Sequence, residues 1–400
     1  MAEFSTQRVP ASPLLDAVLG SEVKLAIYHH PACEQHEISN HPEQPRRVAS
    51  ILTHLRREWP EDVFFREVAA KATDEQLLLF HTQKHLDLFK SKCDKVADGK
   101  AEVVAYDSDT QIMCHTRDAA YYAAGAMIES IDALFLPKDH PQYITTAFCA
   151  VRPPGHHAER NRAMGFCFLS NAAIGAKYAQ SKYGVERVAV LDFDVHHGNG
   201  TEEGFRPHDS LFYGSTHQYE AYPGTGKDPS PKVGELAALE INRRIVNRYL
   251  ITDQAQSTQK QFRTKWRQVV EEMIRFRPGL VIFSAGFDAH DADPLADCEL
   301  KEEDFAWATE IVLEACVRIN QEAPPKCVSI LEGGYDLEAL GLSAAAHVRA
   351  LAKGFPVPVA AAAAAHTDAP APAAGDTAVK PEVVGDEVAA LAKFLKEISL

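Results

Sequence analysis

Four short apolar runs punctuate the chain: 147–152 (AFCAVR), 187–193 (RVAVLDF), 280–287 (LVIFSAGF) and 327–331 (CVSIL). Each is continuous rather than alternating, the pattern of a strand buried on both faces of a parallel sheet. Longer stretches with helical spacing lie between or beside them, at 114–136, 168–182, 258–276, 301–318 and 339–353. Strand alternating with helix predicts a layered α/β fold with right-handed crossovers. Residues 225–236 and 250–258 are polar and read as loops, and no internal repeat is present.

The chemistry follows the runs. Pro153-Pro154-Gly155-His156-His157 comes after the first, and Asp194-Val195-His196-His197-Gly198-Asn199-Gly200 after the second. Asp288 follows the third, and Glu332-Gly333-Gly334-Tyr335 the fourth. Ligands of open α/β sheets bind at the carboxyl ends of the strands, so four ends are expected to deliver His, Asp and Tyr to one rim.

Asp194 and His196 stand two apart in an extended segment, which points their side chains the same way. With Asp288 they form two carboxylates and an imidazole, a three-ligand set that leaves room for water and substrate, as a catalytic metal site requires. A lone D-x-H pair also suits a cap beside a satisfied core histidine, so the reading rests on the convergence of strand ends. Oxygen and nitrogen ligands without cysteine suit zinc, and equally iron(II), manganese or cobalt. Paired imidazoles such as His156 and His157 are natural general bases and acids beside a metal-activated water. Asp192 and Asn199 are the nearby polar groups that fix their tautomers. Tyr335, after a flexible turn, offers a phenolic O–H to a carbonyl oxygen as negative charge develops. The blander alternatives are a surface His pair and a packed tyrosine.

Composition narrows the class. The 400 residues suffice for one large or two ordinary domains. An apolar content of 46% and a charged content of 24% are those of a soluble globular protein. No apolar run approaches the ~20 residues that span a bilayer. The first twenty residues carry Glu3, Arg8 and Asp16 and lack the build of a secretory signal. The expectation is a soluble intracellular protein, cytoplasmic and/or nuclear, with no membrane association. Eight cysteines (33, 93, 114, 149, 167, 298, 316, 327) contain no C-x-x-C pair and read as reduced, mostly buried thiols. A net charge of −15 argues against direct nucleic-acid binding and suits the steering of Lys-rich partners. The expected organisation is an N-terminal extension over 1–22 and a main domain over 23–355. An Ala/Pro-rich flexible insertion over 356–385 follows, then an amphipathic helix over 386–400 that docks back, with Val388, Leu391, Phe394, Leu395 and Ile398 at helical spacing.

Taken together, HPEQPRR (41–47), RPPGHHA (152–158), GFCFLSN (165–171), DFDVHHGNGT (192–201), YPGTG (222–226), SAGFDAH (284–290) and LEGGYD (331–336) resemble the histone deacetylase family of the arginase/deacetylase superfamily. They run in the family's order across roughly 23–353, and the resemblance implies a single domain built on a parallel sheet of about eight strands between helical layers. It implies hydrolysis of N-ε-acetyl-lysine in proteins such as histone tails, releasing acetate, with one Zn2+ on Asp194, His196 and Asp288. By the same resemblance His157 is the general base that then protonates the leaving amine, and His156, backed by Asp192, the electrostatic histidine. Tyr335 is the carbonyl-polarising residue. Gly165, Phe166 and Tyr222 are the walls of a narrow tube whose aromatic faces suit the uncharged acetyl-lysine stem. Asp109 resembles a rim aspartate that grips substrate backbone, and Arg47 an arginine lining an acetate exit. A structural K+ is implied on Asp192, Asp194, His196, Ser215 and Thr216, mostly through backbone carbonyls.

Asn199 resembles the class II and bacterial branch, where another branch has Asp. Tyr335, in place of the histidine of weakly active relatives, implies real activity, and Leu295 stands where polyamine-preferring relatives carry a glutamate. Tyr222 departs from the commoner phenylalanine, the segment after YPGTG is longer and more polar than usual, and the Ala/Pro insertion has no counterpart. Three alternatives stand beside this reading. One is an acetylpolyamine or other acyl-amide hydrolase, and another a catalytically weak peptide-binding scaffold. The third, a two-metal ureohydrolase, would need more carboxylates. Oligomeric state is open.

Overall fold

The four apolar runs become the four central strands of one eight-stranded, all-parallel sheet. The computed structural model describes residues 24–60, 64–99, 101–227, 244–252 and 256–354, so the expectations for 1–22, 356–385 and 386–400 lie outside the described residues. In chain order the sheet contains β1 (Leu25–His29), β2 (Phe65–Glu67), β5 (Thr146–Cys149), β6 (Val188–Asp192), β7 (Leu211–Gln218), β8 (Ile245–Leu250), β9 (Leu280–Ala285) and β10 (Lys326–Leu331). Their spatial order is β2-β1-β5-β10-β9-β6-β7-β8. A separate antiparallel pair, β3 (Val104–Ala105) and β4 (Gln111–Ile112), forms a small hairpin.

The continuity of the apolar runs has a direct cause. Along β9, Val281, Phe283 and Ala285 enter one core while Leu280 and Ile282 enter the other. In β6, Ala189 and Leu191 alternate in the same way with Val188 and Val190. Both faces are therefore covered, and no position needs a polar residue. The first face carries α1 (Arg46–Glu58), α7 (Thr258–Phe276), α8 (Glu302–Ile319) and α9 (Leu337–Lys353). The second carries α3 (Gln83–Ala97), α4 (Thr116–Leu134) and α5 (Asn171–Tyr183). Two short helices, α2 (Asp74–Leu77) and α6 (Asn199–Phe205), complete the set.

The five helices expected within the described residues are present within a few residues. Their ends follow local chemistry: Ser257 caps α7 by accepting from Lys260 N, Asp336 caps α9 by accepting from Ala339 N, and α5 stops at Gly184 in the left-handed region. The first run overshoots, since β5 ends at Cys149 and 150–152 already lead into the site. All eight cysteines are free thiols, seven of them buried.

A buried ion pair braces this end of β5. Arg152 donates through Nε to Glu43 Oε1 at 2.5 Å and through Nη2 to Glu43 Oε2 at 2.6 Å, and its Nη1 reaches the carbonyls of Cys33 and His36. Arg47 adds a bond to Glu43 Oε1 at 3.1 Å. Burial opposes ionisation of Glu43, but Arg152 and Arg47 outweigh it and hold its carboxyl down at about 2. Its stabilising contribution is thus full above the usual 4.5 and is lost as pH falls towards 2. Replacing Arg152→Met leaves the buried carboxylate with Arg47 alone, and urea denaturation at pH 7 is expected to show a loss of about 3–5 kcal/mol. A second change, Glu43→Gln, is expected to restore part of it; a single-variant loss below about 1 kcal/mol would contradict this role.

Candidate active site

β6 and β9 are neighbours, and Asp194 and Asp288 lie just beyond their carboxyl ends. One ligand atom from each of Asp194, His196 and Asp288 lies within 4.8 Å of the others. His196 Nδ1 is 3.1 Å from Asp194 Oδ1 and 3.0 Å from Asp288 Oδ2. The remaining carboxylate oxygens are held by backbone, since Gly333 N donates to Asp194 Oδ2 at 2.8 Å and Val195 N to Asp288 Oδ1 at 2.8 Å.

Both carboxylates are fully buried. Burial and the charge of Asp194 push the Asp288 carboxyl up to about 7. Asp194 is held well below the usual carboxylate range, against its burial, by His156 and His196. Burial disfavours a charged His196, yet Asp288 and Asp194 raise it to about 10. The cluster demands positive charge at its centre. Two oxygens and a nitrogen at this spacing fit a divalent cation, which would take the place of that proton. The space is kept by Gly333, where a Cβ would stand 2.1 Å from Asp288 Oδ2 and 2.6 Å from Asp194 Oδ2.

His156 and His157 sit beside the cluster, their rings 4.0 Å apart, both buried. His156 Nδ1 is 3.1 Å from Asp192 Oδ2, and its Nε2 is 3.8 Å from Asp194 Oδ2. Burial works against a proton there, but the two aspartates raise His156 well above the usual histidine range. His157 behaves oppositely: burial and the positive charges of His156 and His196 hold it well below that range. Asn199 sets its tautomer. The Asn199 amide nitrogen faces Glu159 Oε1 at 2.9 Å, a group that can only accept, so its oxygen faces His157 Nδ1 at 2.9 Å. His157 therefore carries its proton on Nδ1 and leaves Nε2 free as a base.

Tyr335 is buried, its phenol within electrostatic reach of Asp288 and Asp194, and Arg47 stacks on its ring at 4.8 Å. Arg47 also donates to the carbonyls of Gly334 at 2.6 Å and Glu332 at 2.5 Å. Phe166 meets the edge of Tyr335 at 5.9 Å, and Tyr222 stands edge-to-face against His157 at 5.0 Å. Gly165 adopts φ +57° between them, and a Cβ there would lie 2.5 Å from His157 Cδ2. The β3–β4 hairpin joins this wall, because Thr110 Oγ1 accepts from Phe166 N at 3.1 Å and His41 Nε2 donates to Asp109 O at 3.0 Å. Asp109 itself is exposed. Leu295, 41% exposed, stands on the loop after β9, its N–H donating to Asp293 Oδ1 at 3.0 Å. Asp192 and Ser215 are register partners on β6 and β7, and the next residue, Thr216, keeps a buried hydroxyl without a hydrogen-bond partner.

Sequence reasoning missed several supporting residues. Asp293 Oδ2 accepts from Tyr335 N at 2.6 Å and fixes the start of α9. Tyr213 donates to Asp192 Oδ2 at 3.0 Å and accepts from Gly198 N. Glu332 accepts from Gly155 N and His156 N. The available signal was charge in an apolar context: Glu332 directly follows a buried strand, where an acid needs partners.

A family profile described as the histone deacetylase domain matches residues 41–351, most of the chain. The chain belongs to the histone deacetylase family. It is 31% identical to histone deacetylase 14, chloroplastic, of Arabidopsis thaliana over 87% of this chain and 81% of that protein. It is 33% identical to an uncharacterized protein of Synechocystis, over 82% of this chain and 99% of the other. The HDA15 HD domain has a similar structure, with a TM-score of 0.69, 30% identity, and coverage of 84% and 92% of the two chains. Membership makes this chain a hydrolase of the deacetylase type on the expected fold. Among the described residues no helix is long and apolar enough to cross a membrane. In this deacetylase, Gly333→Ala is expected to weaken cobalt or zinc binding at least ~tenfold, because a mispositioned carboxylate loses roughly 1.4 kcal/mol or more of ligation. Calorimetric titration checks this, and unchanged affinity would contradict the cradle.

Proposed function

We propose that this protein removes the acetyl group from N-ε-acetyl-lysine side chains of proteins such as histone tails, with one zinc ion on Asp194, His196 and Asp288. The observation that carries the reading is His157, its Nδ1 held by Asn199 and its Nε2 free, beside a buried two-carboxylate, one-imidazole cluster and the ring of Tyr222, with Phe166 against Tyr335. A divalent cation bound there supplies Lewis acidity to the acetyl carbonyl and acidifies water. His157 Nε2 takes the proton of the attacking water and passes it to the lysine nitrogen as the C–N bond breaks. His156, kept protonated by Asp192 and Asp194, stabilises the negative charge that builds on oxygen, and Tyr335 donates to the former carbonyl oxygen.

Gly165, Phe166 and Tyr222 enclose the apolar stem, Asp109 at the exposed hairpin takes substrate backbone, and Arg47 lines the way out for acetate. Leu295 brings no charge to meet a polyamine, so acetyl-lysine peptides are the expected substrates over acetylspermidine. A structural K+ on Asp192, Asp194, His196, Ser215 and Thr216, held mostly through backbone carbonyls, is part of the proposal.

Acetate release from an acetyl-lysine peptide is expected to fall at least ~10²-fold in His157→Ala and Tyr335→Phe, the scale of a lost acid–base or oxyanion group. Retained activity in both would overturn the assignment, and a strong preference for acetylspermidine would overturn the substrate. The pH dependence is a separate check. Since His157 must be neutral and its environment lowers it below 6.5, the acid limb of the rate profile is expected below that value. Asn199→Asp places an anion against Nδ1, favours the imidazolium, and is expected to move that limb upward. A limb that stays or moves down would contradict the role of His157.

A further inference from the structure

Resting on the deacetylase reading, we propose that Glu332 is a positioning residue for the His156–His157 pair, holding their loop through two backbone hydrogen bonds. The loop leaves β5 through Arg152, Pro153 and Pro154. The prolines have no N–H, so Gly155 and His156 carry the first donors after them. Both end on one atom: Gly155 N reaches Glu332 Oε2 at 2.6 Å and His156 N reaches it at 3.0 Å. The other carboxylate oxygen accepts from Ser284 Oγ on β9 at 3.0 Å. Glu332 itself is pinned to the sheet, its N–H donating to Ala285 O at 3.0 Å, and it is fully buried.

One side chain thus ties the ends of three adjacent strands, β5, β10 and β9, at the point where the histidines depart. On its other side the loop is held by Asn171 Nδ2 donating to Pro153 O at 3.3 Å and by Gly200 N and Thr201 N donating to His156 O at 3.0 and 3.2 Å. Glu332 takes both N–H donors of the turn, whereas these other bonds hold only its carbonyls. Glu332 makes no hydrogen bond to Asp194, His196 or Asp288; it acts through the loop backbone, with a smaller electrostatic effect on His156.

Glu332→Asp keeps the charge but shortens the reach by one methylene, Glu332→Gln keeps the reach and one acceptor oxygen, and Glu332→Ala removes both. Displacement of an acid–base group by about 1 Å costs on the order of 10²-fold in rate. The expected result is a kcat lowered by that order in Ala and by at least ~tenfold in Asp, with KM within about twofold, and a kcat restored to within about fivefold of the unaltered chain in Gln. A kcat as low in Gln as in Ala, or unchanged in Asp, would overturn the proposal. In protein labelled with 15N-glycine, the Gly155 amide proton is expected well downfield in the unaltered chain and in Gln, and shifted upfield in Ala. No such change on going to Ala would also overturn it. That resonance reports the bond whatever reaction occurs, whereas an unaltered chain inactive on acetyl-lysine refutes the reaction alone.

Discussion

Two carboxylates buried at the ends of adjacent central strands are unfavourable unless positive charge sits between them, and the rest of the site is arranged around that constraint. Asp194 and Asp288 are buried away from bulk solvent, and His196 is drawn to about 10 by them. A divalent cation at this point would resolve the repulsion better than a single proton, because it would be held by three groups at once and would still have room for a reacting partner. The same charge sets the histidines apart. His156 faces two aspartates and holds its proton, whereas His157 faces His156, His196 and a neutral amide and remains free to accept one.

Holding such a cluster takes more than its ligands. Gly333 leaves space for both carboxylates while donating its N–H to one of them, and Asp293 and Arg47 fix the segment that presents Tyr335. Each active group stands on a strand end or a brace to one. This suits a reaction whose transition state requires preorganised donors and not a reorganising solvent. The walls are built differently. Phe166, Tyr222 and the β3–β4 hairpin meet through ring edges and a few loop hydrogen bonds, so the mouth of the site depends on side-chain packing over the rigid floor.

Much of this was legible in the chain because burial on both faces leaves an unambiguous trace. The central strands β5, β6, β9 and β10 read as continuous apolar runs, and the residues after them met at one rim as expected. The outer strands were not legible. β2 has three residues, β7 mixes Gly, Ser, Thr and His into its second half, and β8 carries Asn247 and Arg248. Strands away from the centre accommodate polar residues that erase the pattern, as the buried Glu202–Asn247 bond illustrates. Asp194, His196 and Asp288 could be picked out because ligand chemistry restricts residue types. Asp293 and Tyr213 could not, and Glu332 only as an acid after a buried strand, because their roles lie in contacts with distant residues that only the fold creates. The difference between His156 and His157 came only from the resemblance, since adjacent identical residues differ only in their neighbours.

The central claim is that Asp194, His196 and Asp288 together hold one ion. Anomalous diffraction from crystals of the zinc-loaded protein, recorded on both sides of the zinc edge, tests it most directly. The account predicts a single strong peak about 2.0–2.2 Å from one oxygen of each aspartate and from a ring nitrogen of His196. A peak elsewhere, or none between these three side chains, would contradict it.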